Sequence, residues 1–337
     1  MRLELPERLV SLASTVSSMT YRRIEELVSG QPKELYDASM HLIRAGGKRL
    51  RPLLVALTSK MYGLSLEISS WAAAAVEIFH NFTLVHDDIM DRDEYRRGVP
   101  TVHKIWGEAL AIVAGDLLFA KSYEALHRLL DYGLSYERVV SAIRELTWAA
   151  RTVAEGQALD LLFTSRDNVT VSEYIEMVEK KTAGLFRSSV LIGAIIAGAS
   201  DDELANLAEF ATDIGIAFQI RDDELGLVAD EKTLGKPKYS DLREGKKTIL
   251  VLYALERANE EQRKTILNSL GRSNVRRDEL EKAARTIVEI GALEFSNKLA
   301  EEFIRKGIEA LYLTNPRDNE AREMLRDLAY YVTRRSY

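Results

Sequence analysis

Apolar residues recur along this chain at intervals of three and four positions, the spacing of one face of an α-helix. Between 105 and 118, for example, one apolar stripe runs through positions 105, 106, 109, 110, 113, 117 and 118. The same spacing predicts helices over roughly 34–43, 48–62, 71–95, 136–163, 171–198, 202–228, 247–257, 276–312 and 319–335. No alternating strand pattern of useful length and no Asn-Gly or Asp-Gly turn interrupts them. The pattern predicts an all-α protein of about ten helices.

The chain shows no sign of a division into domains. It has no low-complexity linker and no repeat of fixed period, and several of its six prolines fall at predicted helix ends. A length of 337 residues fits one large domain or two ordinary ones. We therefore predict a single domain over 1–337.

Composition narrows the class of protein. Hydrophobic residues make up 46% and charged residues 29%, which fits an ordinary globule with a sizeable core. The net charge of −6 argues against nucleic acid as a main partner. The absence of cysteine excludes disulfides and thiolate metal sites. The longest apolar run, 188–199, is too short to span a bilayer, and the N-terminus lacks a secretory pattern, so we expect a cytoplasmic protein without a transmembrane segment.

Two groups of aspartates stand out because each follows an apolar helical stretch. Asp87, Asp88 and Asp91 come after 79–85, and Asp222 and Asp223 come after an apolar run that begins at 214. Buried carboxylates are costly without a counter-charge, so these helices are expected to hold a cation. Oxygen ligands favour Mg²⁺, which is usually bound by a few carboxylates together with substrate phosphates. The alternative is a solvated acidic face, which is the more frequent meaning of such a string by itself.

Helix geometry separates the roles of the first three aspartates. Asp87 and Asp91 lie about 40° apart around the helix axis and can share metal ions, whereas Asp88 is about 100° away and is expected to act through water or in support. Basic residues follow both groups: Arg96 and Arg97 follow the first, and Lys236 and Lys246 follow the second. Such residues would bind the phosphate groups of a phosphorylated partner.

A series of short motifs carries a resemblance to a known family. In chain order they are Gly46-Gly47-Lys48-Arg49-Leu50-Arg51-Pro52, the first aspartate motif with Arg96-Arg97-Gly98, Gly115-Asp116, Gly156-Gln157, Lys181-Thr182, Phe218-Gln219, the second aspartate motif, Gly235-Lys236 and Gly245-Lys246. Each is weak alone, but together and in this order they are specific. The chain resembles the trans-type polyprenyl (isoprenyl) diphosphate synthases, most closely the archaeal geranylgeranyl diphosphate synthases.

This resemblance implies a fold, a reaction and a set of partners. The fold would be the isoprenoid-synthase helical bundle around a central apolar pocket, and the protein would be a homodimer. The reaction would join isopentenyl diphosphate head-to-tail to dimethylallyl, geranyl or farnesyl diphosphate, by ionisation, condensation and elimination. Magnesium, about three ions per active site, would assist departure of the allylic diphosphate.

The resemblance also assigns residue roles. Metal ligands would be Asp87, Asp91 and Asp222, supported by Asp88 and Asp223. The allylic diphosphate would be held by Arg96, Lys181, Lys236 and Lys246. Isopentenyl diphosphate would be held by Lys48, Arg51, His80 and Arg97. Oxygen dipoles of Thr182 and Gln219 would stabilise the carbocation. One position departs from the family pattern, because many relatives have a third aspartate in the second motif where this chain has Gly226, and looser metal binding is expected there.

Product length is predicted from the residues before Asp87. In the family a bulky side chain there limits the growing prenyl tail. An aromatic at Phe82, a small residue at Thr83 and no insertion between Asp87 and Asp91 resemble the archaeal twenty-carbon synthases. The helical wheel puts Thr83, not Phe82, directly below Asp87, so ordinary core packing of Phe82 is the alternative. Farnesyl and farnesylgeranyl diphosphate are the alternative products.

Plainer interpretations exist for individual motifs. Gly46-Gly47 could end a helix and leave Lys48 and Arg51 as solvated charges. His80 could be a hydrogen-bonded core histidine, and Lys181-Thr182 a solvated helix step. Because the other motifs of the family are also present in this chain, we expect a substrate contact in each of these three cases.

Three other functions are weighed against this one. A terpene cyclase would share the first aspartate motif but would not need the basic residues from Lys48 to Arg51. A di-iron bundle protein is suggested by two Glu-x-x-His pairs, Glu77 with His80 and Glu124 with His127. It would leave the aspartates unexplained. A non-catalytic subunit of a heteromeric synthase is disfavoured by the intact aspartate motifs.

Overall fold

The computed structural model describes residues 6–229, 238–272 and 274–333. Helices account for nearly all of the regular structure in these residues. The first ten α-helices are α1 (Glu7–Leu27), α2 (Lys33–Arg44), α3 (Leu50–Met61), α4 (Leu66–Met90), α5 (Val102–Trp106), α6 (Glu108–His127), α7 (Tyr136–Thr164), α8 (Val171–Val178), α9 (Gly184–Ala197) and α10 (Asp201–Val228). Then follow α11 (Ser240–Glu244), α12 (Ile249–Arg257), α13 (Glu260–Ser269), α14 (Arg277–Glu289), α15 (Ala292–Tyr312) and α16 (Asn319–Thr333). The prediction of an all-α protein is confirmed.

Three short segments interrupt the α-helical pattern among the described residues. A two-residue hairpin, β1 (Tyr95–Arg96) paired antiparallel with β2 (Val99–Pro100), directly follows the first aspartate motif. A 3₁₀ turn, Arg128–Tyr132, follows α6, and a π-helical turn, Glu179–Ala183, joins α8 to α9. The hairpin and the π-helical turn each contain residues that the sequence assigns to substrate binding.

The number of helices was predicted too low because several long apolar patterns are divided. The stretch 276–312 contains both α14 and α15, which meet at Gly291 in a left-handed conformation with φ 91°. Small five-residue helices such as α5 and α11 are too short to show a period. The predicted helix 71–95 starts earlier, at Leu66, and ends at Met90, because the chain turns through Asp91 and the left-handed Arg92.

Two buried apolar clusters hold the site-bearing helices. One joins α4 to α2, α6 and α7, and includes the four alanines of 72–75, none of which has any exposed surface. The other lies where α10 packs against α9 and α15. These small side chains in the first half of α4 let neighbouring helices approach closely. The functional ends of α4 and α10 therefore rest on a rigid base.

Within the described residues, no helix is long and apolar enough to cross a membrane.

Candidate active site

The first aspartate motif lies at the C-terminal end of α4. Asp87 and Asp88 belong to the last turn of the helix, and Asp91 follows its final residue. A helix C-terminus carries partial negative charge, which disfavours carboxylates at that end. Three aspartates there need cations close by, and the fold supplies them from three separate elements.

Each aspartate of this motif has a basic neighbour. Lys181 Nζ lies 3.7 Å from Asp87 Oδ1, and Lys246 Nζ lies 3.0 Å from Asp91 Oδ2. Arg96 of the hairpin donates from Nε to Asp88 Oδ1, and its Nη2 lies 3.7 Å from Asp87 Oδ2. Three residues assigned to the allylic diphosphate are thus gathered around the first motif. Lys236 lies outside the described residues.

Burial and charge shape the protonation of these groups. Burial raises the pKa of Asp88 to about 7, although the Arg96 guanidinium opposes that change. Burial by itself would lower the pKa of Lys246, but Asp91 and Glu244 outweigh burial and raise that pKa. The pKa of Lys181 is raised in the same way by Asp87 and Asp160. Both lysines therefore remain charged at neutral pH and present fixed positive charge to an anion.

The second aspartate motif lies on α10 and joins a polar network with side chains of α8 and the π-helical turn. Asp223 is buried, accepting from the Tyr174 hydroxyl at 2.6 Å and from Gln219 Nε2 at 2.8 Å. Thr182 Oγ1 donates to Gln219 Oε1 at 2.9 Å. Asp222, in contrast, is exposed, although the sequence pattern placed both aspartates in a buried stretch. The exposed carboxylate is accessible to an ion, and the buried one anchors the network.

The π-helical turn brings Lys181 and Thr182 between the two motifs. Lys181 Nζ contacts Asp160 Oδ2 of α7 at 2.5 Å in addition to Asp87. Gly156, one turn before Asp160, allows α7 to approach this turn, since a Cβ at Gly156 would lie 2.6 Å from Lys181 Cα. Gly215 of α10 does the same from the other side, with Ala183 Cα at 2.6 Å. π-helical turns are frequent at functional sites.

A second basic group lies beside α3 and α4. Arg51 Nη1 and His80 Nε2 are 3.1 Å apart, and Arg97 Nη1 donates to Asn81 Oδ1 at 3.2 Å. Arg51 Nε is buried and has no hydrogen-bond partner among the described residues, and burial lowers the pKa of Arg51 to about 10. A buried guanidinium with an unused donor favours binding of an anion. Lys48 is exposed in the same loop.

The loop that leads into α3 uses unusual backbone conformations. Gly46, Gly47 and Arg49 all have positive φ, at 94°, 135° and 48°. A Cβ on Gly47 would meet the Arg97 guanidinium at 3.0 Å, so glycine leaves room for that side chain. Both glycines thus follow α2, and Gly47 also makes space for a basic side chain of the second group.

His80 supports a prediction of pH dependence. Burial, and then the charges of Arg51, Arg97, Arg96 and Arg49, hold its pKa well below the usual value of 6.5. The unfolded chain therefore binds a proton at His80 below pH 6.5 when the folded chain does not. This contribution to stability is fully present above pH 6.5 and is lost as the pH falls, by about 1.4 kcal/mol per pH unit.

The expected result is that His80→Asn flattens the fall in the free energy of unfolding between pH 6.5 and 5. Urea denaturation at several pH values measures it. His127→Asn is the control, because His127 is exposed on the surface of α6. Equal pH slopes in wild type and His80→Asn would contradict the assignment.

The donors present suit a hard divalent cation. Asp87 Oδ1 is buried without a hydrogen-bond partner among the described residues, which is costly unless a cation approaches. Within the described residues, no three acidic or histidine side chains lie close enough together to bind a metal ion by themselves. Mg²⁺ seldom needs such a set, because waters and substrate phosphates complete its shell. Asp87, Asp91 and Asp222 would hold the ion.

The structure adds two residues that the sequence did not single out. Asp160 contacts Lys181, and Tyr174 contacts Asp223. Glu77, which the sequence offered only as a di-iron ligand, contacts Arg49 in a buried ion pair. Asp160 lies four positions after Gly156 and therefore on nearly the same face of the helix. That spacing was the one sequence feature that could have pointed to Asp160. Tyr174 gave no such signal, because its partner is far away in sequence.

The contacts of the two Glu-x-x-His pairs argue against a di-iron site. Glu77 is engaged by Arg49 and Asn81, whereas Glu124 pairs with Lys121 and His127 is exposed. The two Glu-x-x-His pairs therefore do not form one metal site.

Aromatic side chains pack one turn below the first motif. The Phe82 ring lies 5.2 Å from that of Phe119 on α6, 5.4 Å from Phe79 and 4.9 Å from His86. Thr83 donates to the His80 carbonyl oxygen at 2.8 Å. Phe82 is part of an aromatic cluster between α4 and α6.

Solved structures of similar fold define the class. The crystal structure of geranylgeranyl pyrophosphate synthetase from Pyrococcus horikoshii Ot3 aligns with a TM-score of 0.90 at 37% identity, over 98% of this chain and 100% of that one. The geranylgeranyl pyrophosphate synthase from Corynebacterium glutamicum, complexed with isoprenyl diphosphate and magnesium, aligns at 0.88 and 28%, over 99% and 100%. The fold is the all-α isoprenoid-synthase fold.

Sequence relatives define the family. The polyprenyl synthetase family model matches residues 32–287. The chain is 45% identical over 312 residues to geranylgeranyl diphosphate synthase of Sulfolobus acidocaldarius, covering 93% of this chain and 94% of that protein. It is 42% identical over 315 residues to geranylfarnesyl diphosphate synthase of Aeropyrum pernix, covering 93% and 98%. The chain belongs to the polyprenyl synthetase family and is a prenyltransferase, which confirms the resemblance read from the motifs.

Proposed function

We propose that this chain condenses isopentenyl diphosphate with an allylic diphosphate and that its main product is geranylgeranyl diphosphate. The observation that carries the proposal is the presence of two basic groups with different surroundings. Arg96, Lys181 and Lys246 alternate with the aspartates of the first motif, as a metal-assisted diphosphate site requires. Arg51 and His80 contact each other and, among the described residues, form no ion pair with those aspartates, as suits a diphosphate bound without metal.

The bond changes follow from these two sites. The allylic C–O bond breaks and diphosphate leaves with the electron pair. The alkene of isopentenyl diphosphate forms a new C–C bond to the allylic carbon, and a proton is then lost to the departed diphosphate. Bound Mg²⁺ ions would supply positive charge to the leaving diphosphate. Lys181, Lys246 and Arg96 do the same with charges already fixed in place by their carboxylate partners, so little reorganisation is needed.

Two further side chains would act on the carbocation. The Gln219 amide is fixed at both ends, because its oxygen accepts from Thr182 and its nitrogen donates to Asp223. Because the amide nitrogen of Gln219 points to the Asp223 carboxylate, its oxygen points to the Thr182 hydroxyl, and the two oxygens lie side by side. We assign these oxygen dipoles to stabilising positive charge on carbon.

The test is incubation of the purified chain with isopentenyl diphosphate, each of dimethylallyl, geranyl and farnesyl diphosphate, and Mg²⁺, with sizing of the dephosphorylated products. Twenty-carbon product is expected, with loss of turnover on chelation of the metal. Absence of elongation with every starter would overturn the proposal. A main product of twenty-five carbons would instead favour the geranylfarnesyl activity for which the Aeropyrum pernix relative is named.

Product length should depend on Phe82. Phe82→Ala removes one ring from the aromatic cluster with Phe79 and Phe119 and opens space below Asp87, so longer products are expected. Product sizing measures it. Phe303→Ala, which removes a partly buried phenyl ring from α15, is the control and should leave the length unchanged. Unchanged length in Phe82→Ala would assign Phe82 to core packing.

We also propose that the chain works as a cytoplasmic homodimer that uses about three Mg²⁺ ions in each site. Support for the dimer comes from α6 and α7, which pack together and expose Ile112, Val113, Leu161 and Leu162 with 41–60% of their surfaces accessible. Such apolar exposure is typical of an interaction surface. Sedimentation equilibrium tests the dimer, and a monomeric mass at micromolar concentration would contradict it.

A further inference from the structure

Four polar side chains link two neighbouring helical segments in one chain of hydrogen bonds. The outer two, Tyr174 and Thr182, belong to α8 and to the π-helical turn that continues it. The inner two, Asp223 and Gln219, lie one turn apart on α10. Tyr174 Oη donates to Asp223 Oδ2 at 2.6 Å, and Gln219 Nε2 donates to Asp223 Oδ1 at 2.8 Å. Thr182 Oγ1 donates to Gln219 Oε1 at 2.9 Å, so the chain runs from Tyr174 to the pair of oxygens assigned to the carbocation.

Each hydrogen bond in this chain has a fixed direction. Burial, and then the charge of Asp223, hold the pKa of Tyr174 well above its usual value of 10, so the tyrosine hydroxyl keeps its proton and donates. A carboxylate only accepts, so the second oxygen of Asp223 receives the amide nitrogen of Gln219 and not the amide oxygen. The amide oxygen is therefore the end that faces Thr182. Because the Thr182 hydroxyl hydrogen is used in that bond, the lone pairs of its oxygen can face positive charge.

The orientation of the Gln219 amide is decided at the Asp223 end. A glutamine amide has nearly the same shape after a half turn that exchanges its oxygen with its nitrogen, so only its partners fix which end points where. A threonine hydroxyl can donate or accept, and Thr182 would therefore pair with either end. Asp223 accepts only. With the amide reversed, the positive NH₂ end of the dipole would face the carbocation and oppose it.

Tyr174 in turn holds Asp223. It is buried in the first turn of α8, directly after the capping box formed by Thr170 and Glu173, so its position is fixed by a well-defined helix start. Asp223 Oδ2 has no other hydrogen-bond donor among the described residues. Without the tyrosine hydroxyl this oxygen would be a buried acceptor without a partner, which costs about 1–3 kcal/mol. Rotation of the carboxylate would relieve that cost and release the Gln219 amide.

We propose that Tyr174 is a positioning residue of the condensation reaction, which acts by holding Asp223 so that the oxygen end of the Gln219 amide faces the carbocation. This inference rests on the proposed function, since that reaction supplies the carbocation. The tyrosine hydroxyl is bonded to Asp223 and lies behind the groups assigned to substrate. Its loss is therefore expected to slow the chemical step without weakening the binding of either diphosphate.

Tyr174→Phe removes only the hydroxyl. It is expected to lower the single-turnover rate of elongation about tenfold, less than the roughly hundredfold that a 1 Å displacement of a catalytic group causes. KM for both diphosphates and the Mg²⁺ requirement should stay as in wild type. Tyr62→Phe is the matched control and should keep the wild-type rate, because Tyr62 is also a buried tyrosine that donates to a carboxylate, that of Glu203, outside the site. A raised Mg²⁺ requirement in Tyr174→Phe would place its effect on the metal and overturn the inference.

A double-mutant cycle shows whether Tyr174 acts through Gln219. Gln219→Leu removes the amide, so adding Tyr174→Phe to that variant should change the rate by less than about twofold. The same loss in both backgrounds would overturn the inference, because the effect of the hydroxyl would then bypass the amide.

The orientation of the amide can also be observed without turnover. The chain has four glutamines, so isotopic labelling of their amide nitrogens gives four pairs of side-chain NMR signals, and Gln219→Leu identifies one of them. Tyr174→Phe should shift the Gln219 pair and speed its hydrogen exchange, whereas Tyr62→Phe should leave it in place. An unchanged pair in Tyr174→Phe would overturn the inference. Failure of the wild type to elongate prenyl chains would overturn the proposed reaction, and the amide signals would still decide whether Tyr174 orients Gln219.

Discussion

Asp87→Ala should lower turnover by about a thousandfold or more while leaving the fold intact. Asp87 lies at the C-terminal end of α4 with Lys181 Nζ and Arg96 Nη2 both at 3.7 Å. Its Oδ1 is buried without a hydrogen-bond partner among the described residues. A bound cation would compensate the cost of burying this oxygen. Removing one contributor to stabilisation of a leaving anion costs on the order of a hundred- to a thousandfold, and loss of a metal ligand adds to that.

Steady-state turnover with farnesyl and isopentenyl diphosphates measures this effect, and thermal denaturation without metal checks the fold. The midpoint should be at or above that of wild type, because a negative charge at a helix C-terminus is unfavourable. Asp93→Ala is the comparison, since Asp93 contacts the same Arg96 at 2.9 Å but does not belong to the proposed metal ligands. It should lose far less activity. Near wild-type turnover in Asp87→Ala would be incompatible with a metal role for this carboxylate.

The sequence was sufficient for the features that depend on local periodicity. Apolar spacing predicted α4 and α10, and the position of the aspartates at the ends of apolar runs predicted where charge would gather. The helical wheel also separated Asp88 from Asp87 and Asp91, and in the structure Asp88 is buried against Arg96, with Lys246 beside Asp91. These outcomes follow from rules that act within a few turns of one helix.

Features that depend on contacts between distant segments were not predictable in the same way. The apolar pattern 171–198 is continuous, yet the chain forms a π-helical turn at Glu179–Ala183. That turn is where Gly156 of α7 and Gly215 of α10 approach from two sides. Nothing within the stretch itself marks the interruption. Tyr174 was missed for the same reason, because it acquires its role only from a partner on another element.

The missing third aspartate shows the limit most clearly. From the sequence, Gly226 predicts a weaker second motif, because one carboxylate is absent. In the folded chain the same glycine is the position that Asp241 approaches. A motif along one helix does not show that a carboxylate from another helix lies beside its glycine.

The close approach at Gly156 leads to the second large effect, which concerns stability as well as activity. In an exposed helix, replacing glycine by alanine stabilises by about 1 kcal/mol. At Gly156 the new methyl group would meet the backbone of Lys181, with Cα at 2.6 Å, and backbone cannot rotate away. Overpacking of this kind costs about 1–3 kcal/mol. Gly156→Ala is therefore expected to destabilise the protein by about 2 kcal/mol in urea denaturation.

The same substitution should lower turnover by about a hundredfold even in the folded fraction, because displacement of a catalytic group by about 1 Å has effects of that size. The group displaced is Lys181, whose Nζ is held between Asp87 and Asp160. Gly184→Ala is the matched control: it is also a buried helical glycine beside the π-helical turn, but its nearest neighbour is the Thr152 side chain at 3.3 Å, which can move. It should keep both stability and activity. If Gly156→Ala were as stable and as active as Gly184→Ala, the π-helical turn would not be what positions Lys181 for the leaving diphosphate.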